Sequence, residues 1–298
     1  MPFRRGQLRY FVTVVEEGQM TRAAKRLNVA QPALSQAVAQ LEAEVGVKLL
    51  DRRARGVTLT AAGKTFYEKA RRAVTAADDA VATARSLSRA QKGTIDFGFV
   101  GVPPGIDSLE LLDAFSEGQP EIDMRFRELP FPSASTSAWL AGVDVAVCHR
   151  PPPDPAVWSQ LIRHEPRVVL APARHQLSQR TQLSVSEVLD QTFIAFDPEV
   201  APAWAGFWSL DDHRGAPPAR TTSDRVANPH EALAALAVRD AITTVPASVA
   251  NMILNLLTGI VAIPLRDAEP SAIMLVGHED RRNAVTAALV EFAQSVGG

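Results

Sequence analysis

Cysteine is all but missing from these 298 residues: Cys148 stands alone, in the run VDVAVCH. One thiol excludes an internal disulfide and any multi-cysteine metal site, so it reads as a small buried side chain. No apolar run approaches the roughly 20 residues that a bilayer span needs. The opening MPFRRGQLRYFVTVVEEG has early arginines but no long apolar core before a cleavage-like site. The expected location is the cytoplasm, with no membrane partner. Also missing are a G-x-S-x-G elbow, a G-x-x-x-x-G-K-[ST] phosphate loop and an H-E-x-x-H zinc motif, and the six histidines are scattered. These absences argue against an enzyme, and neither a metal nor a resident cofactor is expected.

Lysine is absent beyond Lys92, and that gap exposes a division which the formal net charge of -2 conceals. Residues 1–92 hold 17 lysines and arginines against 8 acidic residues, whereas the remainder holds 14 against 25. A polyanion-binding segment joined to one with a different task explains the asymmetry. With 46 % hydrophobic and 21 % charged residues the chain is ordinary for a globular protein, and it is long enough for two or three domains.

In the first segment Leu8, Phe11, Val12 and Val15 recur at helical spacing as far as Glu17-Gly18. Thr21 is then placed to cap a short second helix with Ala23, Ala24 and Leu27 inward. Asn28 suits a tight turn, Pro32 the first turn of a third helix, and Leu34, Val38 and Leu41 its buried stripe. Two helices so closely joined predict a helix-turn-helix. LLDRRARGVTLT reads as a basic hairpin, or wing, before Thr60 caps a long helix to about Leu87. Along that helix Phe66, Ala70, Ala73, Ala77, Ala80, Ala84 and Leu87 recur in steps of four and three. Such a seam, mostly alanine, demands a closely packed partner, most simply a second copy of the chain.

After Lys92-Gly93, strands alternate with helices: TIDFGFV, a helix around Leu109–Ser116, MRFREL, a helix around Ser137–Ala141, and VDVAVC. A second set runs through PRVVLAP, the capped SVSEVLDQ, TFIAF, ARTTSDRV, HEALAALAVR and AITTV, and SAIMLV and RNAVTAALVEFAQ close the chain. The alternation predicts an α/β fold with a parallel, doubly wound sheet. PPPDP at 151–155 is the expected crossover between two subdomains. The expected domains are 1–60, a linker and dimerisation helix at 61–92, and 93–298. The last divides into subdomain I (about 93–163 and 269–298) and subdomain II (about 164–268).

The stretch LRYFVTVVEEGQMTRAAKRLNVAQPALSQAVAQLEAEVGVKLLDRRARGVTLTAAGKTFYEKA resembles, position after position, the amino-terminal signature of LysR-type transcriptional regulators. Its marks are Ala23-Ala24, Leu27, Gln31-Pro32, Ser35, Leu41-Glu42, Gly46, Leu49, Arg52, Leu59-Thr60 and Gly63. The resemblance continues more loosely in GTIDFG, LAGVDVAV, VLAPARHQLSQRTQLSVSEVLDQTFIAF and AITTVPASVA. Gln19-Met20, Leu50 and Gln36 depart from the family pattern, and Gln36, on the reading face, bears on the choice of operator. The resemblance implies a winged helix-turn-helix with a long linker helix, then a two-subdomain α/β effector domain similar to periplasmic binding proteins. It further implies transcription regulation at an interrupted palindrome in double-stranded DNA, dimers that pair into tetramers, and RNA polymerase as a possible partner.

In a helix-turn-helix the second helix enters the major groove, which makes Gln31, Pro32, Ala33, Ser35 and Gln36 the candidates for base edges, with Thr21 and Arg22 beside them. Phosphate neutralisation falls to Arg52, Arg53 and Arg55 on the wing, helped by Lys25, Arg26 and Lys64. In the second half, ligands of doubly wound sheets sit at strand carboxyl ends. There Val102, Pro103, Phe131, Ser133, His149, Arg150, Phe196 and Asn228 are expected around a small-molecule effector. Arg150 is suited to clamp a carboxylate and His149 to add a pH-dependent donor, while the flanking prolines make the pocket apolar. An anionic ligand with an apolar or aromatic body is expected. Two alternatives are a ligand-independent architectural DNA-binding protein, which leaves the second half idle, and a solute-binding protein, which the basic first segment opposes.

Overall fold

The computed structural model describes residues 5–53, 56–90, 92–101, 105–133, 139–149 and 154–296, with backbone alone at 5, 52, 53, 105–110 and 296. Arg55, Val102, Pro103, Arg150, and Ser137 and Ala138 of the expected Ser137–Ala141 helix, lie outside these residues. The chain divides into two compact units, Met1–Val81 and Ala82–Gly298. The boundary falls inside a helix and at neither end of the linker.

The first unit opens with α1 (Arg5–Glu17), α2 (Met20–Arg26) and α3 (Gln31–Val45). Their inward residues, Phe11, Val12, Val14, Ala23, Ala24, Leu34, Val38 and Leu41, form one buried cluster with Leu49 and Leu50. Burial of each large side chain contributes about 1.5–3 kcal/mol. Thr21 does not cap α2. Gly18 takes a left-handed φ of +64° and reverses the chain at once, so Gln19 is the cap residue and Thr21 an exposed member of the first turn. Asn28 makes the next turn at φ 52°, and Pro32 sits in the first turn of α3, where its missing N–H is harmless.

The wing is an antiparallel pair, β1 (Leu50–Arg53) and β2 (Gly56–Leu59), in register from Leu50 opposite Leu59 to Arg53 opposite Gly56. Helix α4 (Ala61–Ala90) follows, its start capped by Thr60, whose hydroxyl accepts the Gly63 N–H (2.9 Å) and donates to the Lys48 carbonyl (2.8 Å). Gly63 is required by proximity: a Cβ there would lie 2.0 Å from the Leu49 carbonyl oxygen. Phe66 meets Phe11 edge to face at 5.3 Å and Ala70 is buried in the same cluster. These two seam positions are thus used inside the chain, a correction to the seam as read from spacing. Ala73, Ala80, Ala84 and Leu87 are exposed and Ala77 is half-buried.

In the second unit, β3 (Thr94–Val100), α5 (Gly105–Gly118), β4 (Asp123–Leu129), β5 (Val145–His149) and β6 (Val157–Glu165) are joined from the far end of the chain by β12 (Ser271–His278). They build a sheet of order β4-β3-β5-β12-β6. Strand β3 runs parallel to β4 and β5, but β12 is antiparallel to both β5 and β6. The sheet is therefore mixed and not wholly parallel, because β12, formed when the chain returns from the second subdomain, runs against the other four strands. That departure lies at Pro166, between β6 and β7 (Arg167–Pro172), and not at PPPDP.

The second subdomain continues with β8 (Phe193–Phe196), α6 (Pro202–Trp208), α7 (Asp211–Arg214), β9 (Thr221–Val226), α8 (Pro229–Val238), β10 (Thr243–Pro246), α9 (Ala247–Leu256) and β11 (Ile260–Pro264). Strands β10 and β11 flank β7 antiparallel, and β8 and β9 form a parallel pair. The segment SVSEVLDQ is shorter than expected, one 3-10 turn at Val185–Glu187 closed by a Ser184–Glu187 capping box. The chain ends in α10 (Ala284–Val296). No helix among the described residues is long and apolar enough to cross a membrane.

Arg89, in the last turn of α4, anchors that helix to the first sheet. Its guanidinium holds both oxygens of Asp144 (3.0 and 2.5 Å) and one of Asp96 (3.1 Å), while the Asp96 N–H donates to Asp144 (2.8 Å). Burial alone would raise the Asp144 pKa, but Arg89 and the Asp96 amide outweigh it and hold the carboxyl below its ordinary range.

Candidate functional site

The first unit presents α3 as a two-sided helix. Leu34, Val38 and Leu41 are fully buried, which turns Gln31, Pro32, Ala33, Gln36 and Gln40 outward and leaves Ser35 half-buried. The outward row carries no charge. Thr21 and Arg22 are exposed on α2, where Arg22 donates to the Glu17 carbonyl and Arg26 is paired with Glu16 (3.1 Å) and Glu17 (3.0 Å). Lys25 and Lys64 stand exposed nearby, and β1 brings Arg52 and Arg53 to the wing.

Glu42, adjacent to the α3 stripe, has a role that spacing concealed. Its buried carboxylate accepts the N–H groups of Leu49 (2.8 Å) and Leu50 (3.0 Å) and the Lys48 ammonium (2.8 Å). Burial pushes its pKa up, yet Lys48 and these amides prevail and the net direction is down. One acid thereby fixes the wing to the end of α3.

The second unit holds a partly open cavity of about 120 Å³ between its two subdomains. Val100 at the end of β3, Gly101 after it, Phe131, and Cys148 and His149 at the end of β5 form one wall. The opposite wall comes from Phe196, from Trp204 and Trp208 on α6, from Ala232, Leu233 and Leu236 on α8, and from β10 and α9. Three rings stack into one aromatic surface: Phe131 lies 4.6 Å from Trp204, and Phe196 lies 5.7 Å from both. Gly101 has φ +73° and a Cβ there would meet Pro229 at 2.7 Å, so only glycine lets the two walls approach this closely.

Of the expected effector residues, the fold brings Phe131, His149 and Phe196 together in this lining. Asn228 is a helix cap instead, its side-chain oxygen accepting the Glu231 N–H (3.0 Å). Ser133 bridges to Val200 outside the lining. His149 is not a pH-dependent donor: burial drives its pKa down to about 3, so the imidazole is neutral at physiological pH. Burial likewise raises the Cys148 thiol, keeping it protonated. No lysine or arginine is among the described lining residues, so no described cation awaits an anionic ligand there. Trp204 and Trp208 were missed, although their spacing of four with Phe207 between, in PAWAGFW, is the signature of one aromatic helix face.

A family model described as bacterial regulatory helix-turn-helix protein, lysR family, matches residues 6–64, and one described as LysR substrate binding domain matches residues 88–298. The chain is 34 % identical over 194 residues to the uncharacterized HTH-type transcriptional regulator YnfL of Escherichia coli (strain K12), a match spanning 65 % of each chain. With the HTH-type transcriptional regulator TfdS of Cupriavidus pinatubonensis (strain JMP 134 / LMG 1197) the identity is 30 % over 250 residues, or 84 % of each. Among solved structures it resembles full-length CbnR complexed with its target DNA, at 26 % identity and a TM-score of 0.53, covering 99 % of this chain and 100 % of that one.

Proposed function

Because the chain belongs to the LysR family of bacterial regulators, we propose that it binds double-stranded operator DNA as a symmetric oligomer and regulates transcription in response to a small effector. On this reading it is a cytoplasmic regulator and not an enzyme. The observation that carries it is the uncharged outer row of α3, Gln31, Ala33 and Gln36, set over a fully buried stripe and bordered by basic residues. Glutamine bonds adenine in bidentate fashion, and a Pro or Ala methyl(ene) group contacts thymine methyls, each good pair discriminating by roughly 1–3 kcal/mol. The resemblance to CbnR, which was solved in complex with its target DNA, supports DNA as the ligand of this head.

Two copies joined along the exposed Ala73, Ala80, Ala84 and Leu87 face of α4 present two heads, which fits an interrupted palindrome. Dimers that pair into a tetramer, and contact with RNA polymerase, extend this assembly. The effector occupies the cavity of the second unit, whose lining favours an apolar body.

Selection of binding sites from random DNA tests the reading. Gln36→Ala should change the selected sequence, while Arg53→Ala should weaken all sequences alike and lower the salt slope by about one. Equal, sequence-blind losses from both would remove α3 from the reading role.

A further inference from the structure

The partners of Glu42 lead from α3 into the wing. Its Oε1 accepts the N–H groups of both Leu49 (2.8 Å) and Leu50 (3.0 Å), and Leu50 is the first residue of β1. Both leucines are buried, and a buried N–H that loses its acceptor is costly, so this carboxylate decides where β1 starts. Thr60 closes the same root from the other strand, its N–H donating to the Leu49 carbonyl (3.0 Å). A second fastening lies further out along the hairpin. The Val57 N–H, on the residue opposite Arg52, donates to the Gly18 carbonyl in the turn between α1 and α2 (2.8 Å). Gly56 approaches that turn so closely that a Cβ there would lie 2.7 Å from the Gly18 oxygen.

The wing is thus tied at its root to α3 and along β2 to the α1–α2 turn, two parts of the body that presents the reading row. Arg52 and Arg53 stand on the strand that these ties hold, opposite Val57 and Gly56. A contact made from a strand already held gives up less freedom on binding than one made from a loose strand. Of the two ties to the helical body, the Gly18 carbonyl is backbone that any residue supplies, whereas the Glu42 carboxylate is a side chain. Glu42 is therefore the tie that a substitution can remove.

We propose that Glu42 is a positioning residue for DNA binding, holding β1 so that the wing arginines meet phosphates at a fixed offset from the α3 reading row. The inference rests on the reading of Arg53 as a phosphate contact. Phosphate contacts fix register without reading sequence, so the loss of Glu42 affects all duplexes alike. The sign of the effect is diagnostic. Removing a negative charge favours a polyanion, whereas removing the tie disfavours it.

Fluorescence anisotropy of the full chain tests this with two labelled duplexes, one of random sequence and one selected from random DNA. Glu42→Ala should weaken both about tenfold and lower the salt slope by about one. Glu42→Gln keeps an oxygen for the Leu49 and Leu50 N–H groups and should bring affinity back to within about threefold of the unaltered chain. A double-mutant cycle separates positioning from general destabilisation. Arg53→Ala should weaken the unaltered chain about tenfold but the Glu42→Ala chain by less than about twofold, because the arginine is already out of place. Additive losses in that cycle, a changed selected sequence in Glu42→Ala, Glu42→Gln as weak as Glu42→Ala, or Glu42→Ala binding as tightly as the unaltered chain would each overturn the proposal. If far-ultraviolet circular dichroism shows Glu42→Ala unfolded, Glu42→Asp replaces it in the same cycle, its carboxylate one methylene short of the two amides, and the same outcomes decide. Arg53→Ala without effect on the unaltered chain would instead overturn the phosphate reading of the wing, and the positioning role with it.

Discussion

Acidification from about pH 7.5 to about pH 5 acts on His149 in a way that the structure makes calculable. The imidazole is buried against the Trp208 ring and the Ser271 hydroxyl, and its pKa in the folded chain is about 3, so it stays neutral across this range. In the unfolded chain it titrates near the ordinary value of about 6.5. A folded pKa below the unfolded one means that the contribution is intact above about pH 6.5 and is lost progressively as pH falls, because the unfolded state takes up a proton that the folded state refuses. At pH 5 the loss is RT ln(1 + 10^1.5), or about 2 kcal/mol, and hardly depends on how far below 5 the folded value lies. His149→Asn removes the titration while keeping a polar group beside Ser271. Urea unfolding followed by tryptophan emission reports on this unit alone, since Trp139, Trp158, Trp204 and Trp208 all belong to it. The stability advantage of the unaltered chain over His149→Asn should shrink by about 2 kcal/mol between the two pH values. Parallel pH profiles would refute the buried, neutral assignment.

Three further outcomes follow from the packing. Asp144→Asn leaves the Arg89 guanidinium with Asp96 alone and should cost about 3 kcal/mol in the same unfolding assay, as expected for breaking a buried pair. Gly63→Ala drives a methyl group into the Leu49 carbonyl and should cost about 3 kcal/mol, read as faster hydrogen exchange at the Thr60 amide, which donates to that carbonyl. If two copies join along α4 as proposed, Ala80→Glu places like charges across the seam, and sedimentation should show dimer affinity lowered by at least about tenfold.

The parts legible in the sequence are those in which local chemistry and tertiary context agree. The stripe Leu34, Val38, Leu41 set the outward face of α3, and the cap at Thr60 and the turn at Asn28 stand where their side chains predict. Thr21 was misread because a glycine three residues earlier reverses the chain and starts the helix sooner. Phe66 and Ala70 satisfy a heptad and a domain core equally well, since both use spacings of three and four. Strand direction leaves no mark on an alternating or fully apolar run, so the antiparallel placement of β12 was invisible. Three residues of the lining, Phe131, His149 and Phe196, were foreseeable from strand ends. Most of the lining was not, because Trp204, Ala232, Val245 and Ile253 converge from four separate elements. The neutrality of His149 is likewise a product of that convergence.

Strands β3 and β5 connect the two features of the second unit. Asp96 and Asp144, near their starts, hold Arg89 of α4, and Val100, Gly101, Cys148 and His149 at their ends line the cavity. Strand β5 is held along both edges, Ala146 opposite Gly98 of β3 and Val147 opposite Leu275 of β12, so it cannot slide without breaking two ladders. This wall is therefore one rigid piece with the last turn of α4, while the facing wall of α6, α8 and α9 reaches it through the crossovers at Pro166 and between β11 and β12. A rigid strand transmits position without energetic coupling between substitutions at its two ends, which lie about 17 Å apart at roughly 3.3 Å per residue. Asp144→Asn combined with His149→Asn should thus destabilise by the sum of the single effects to within about 0.5 kcal/mol. An interaction energy above about 1 kcal/mol in that double-mutant cycle would mean that β5 deforms, and the wall could no longer be treated as one body with α4.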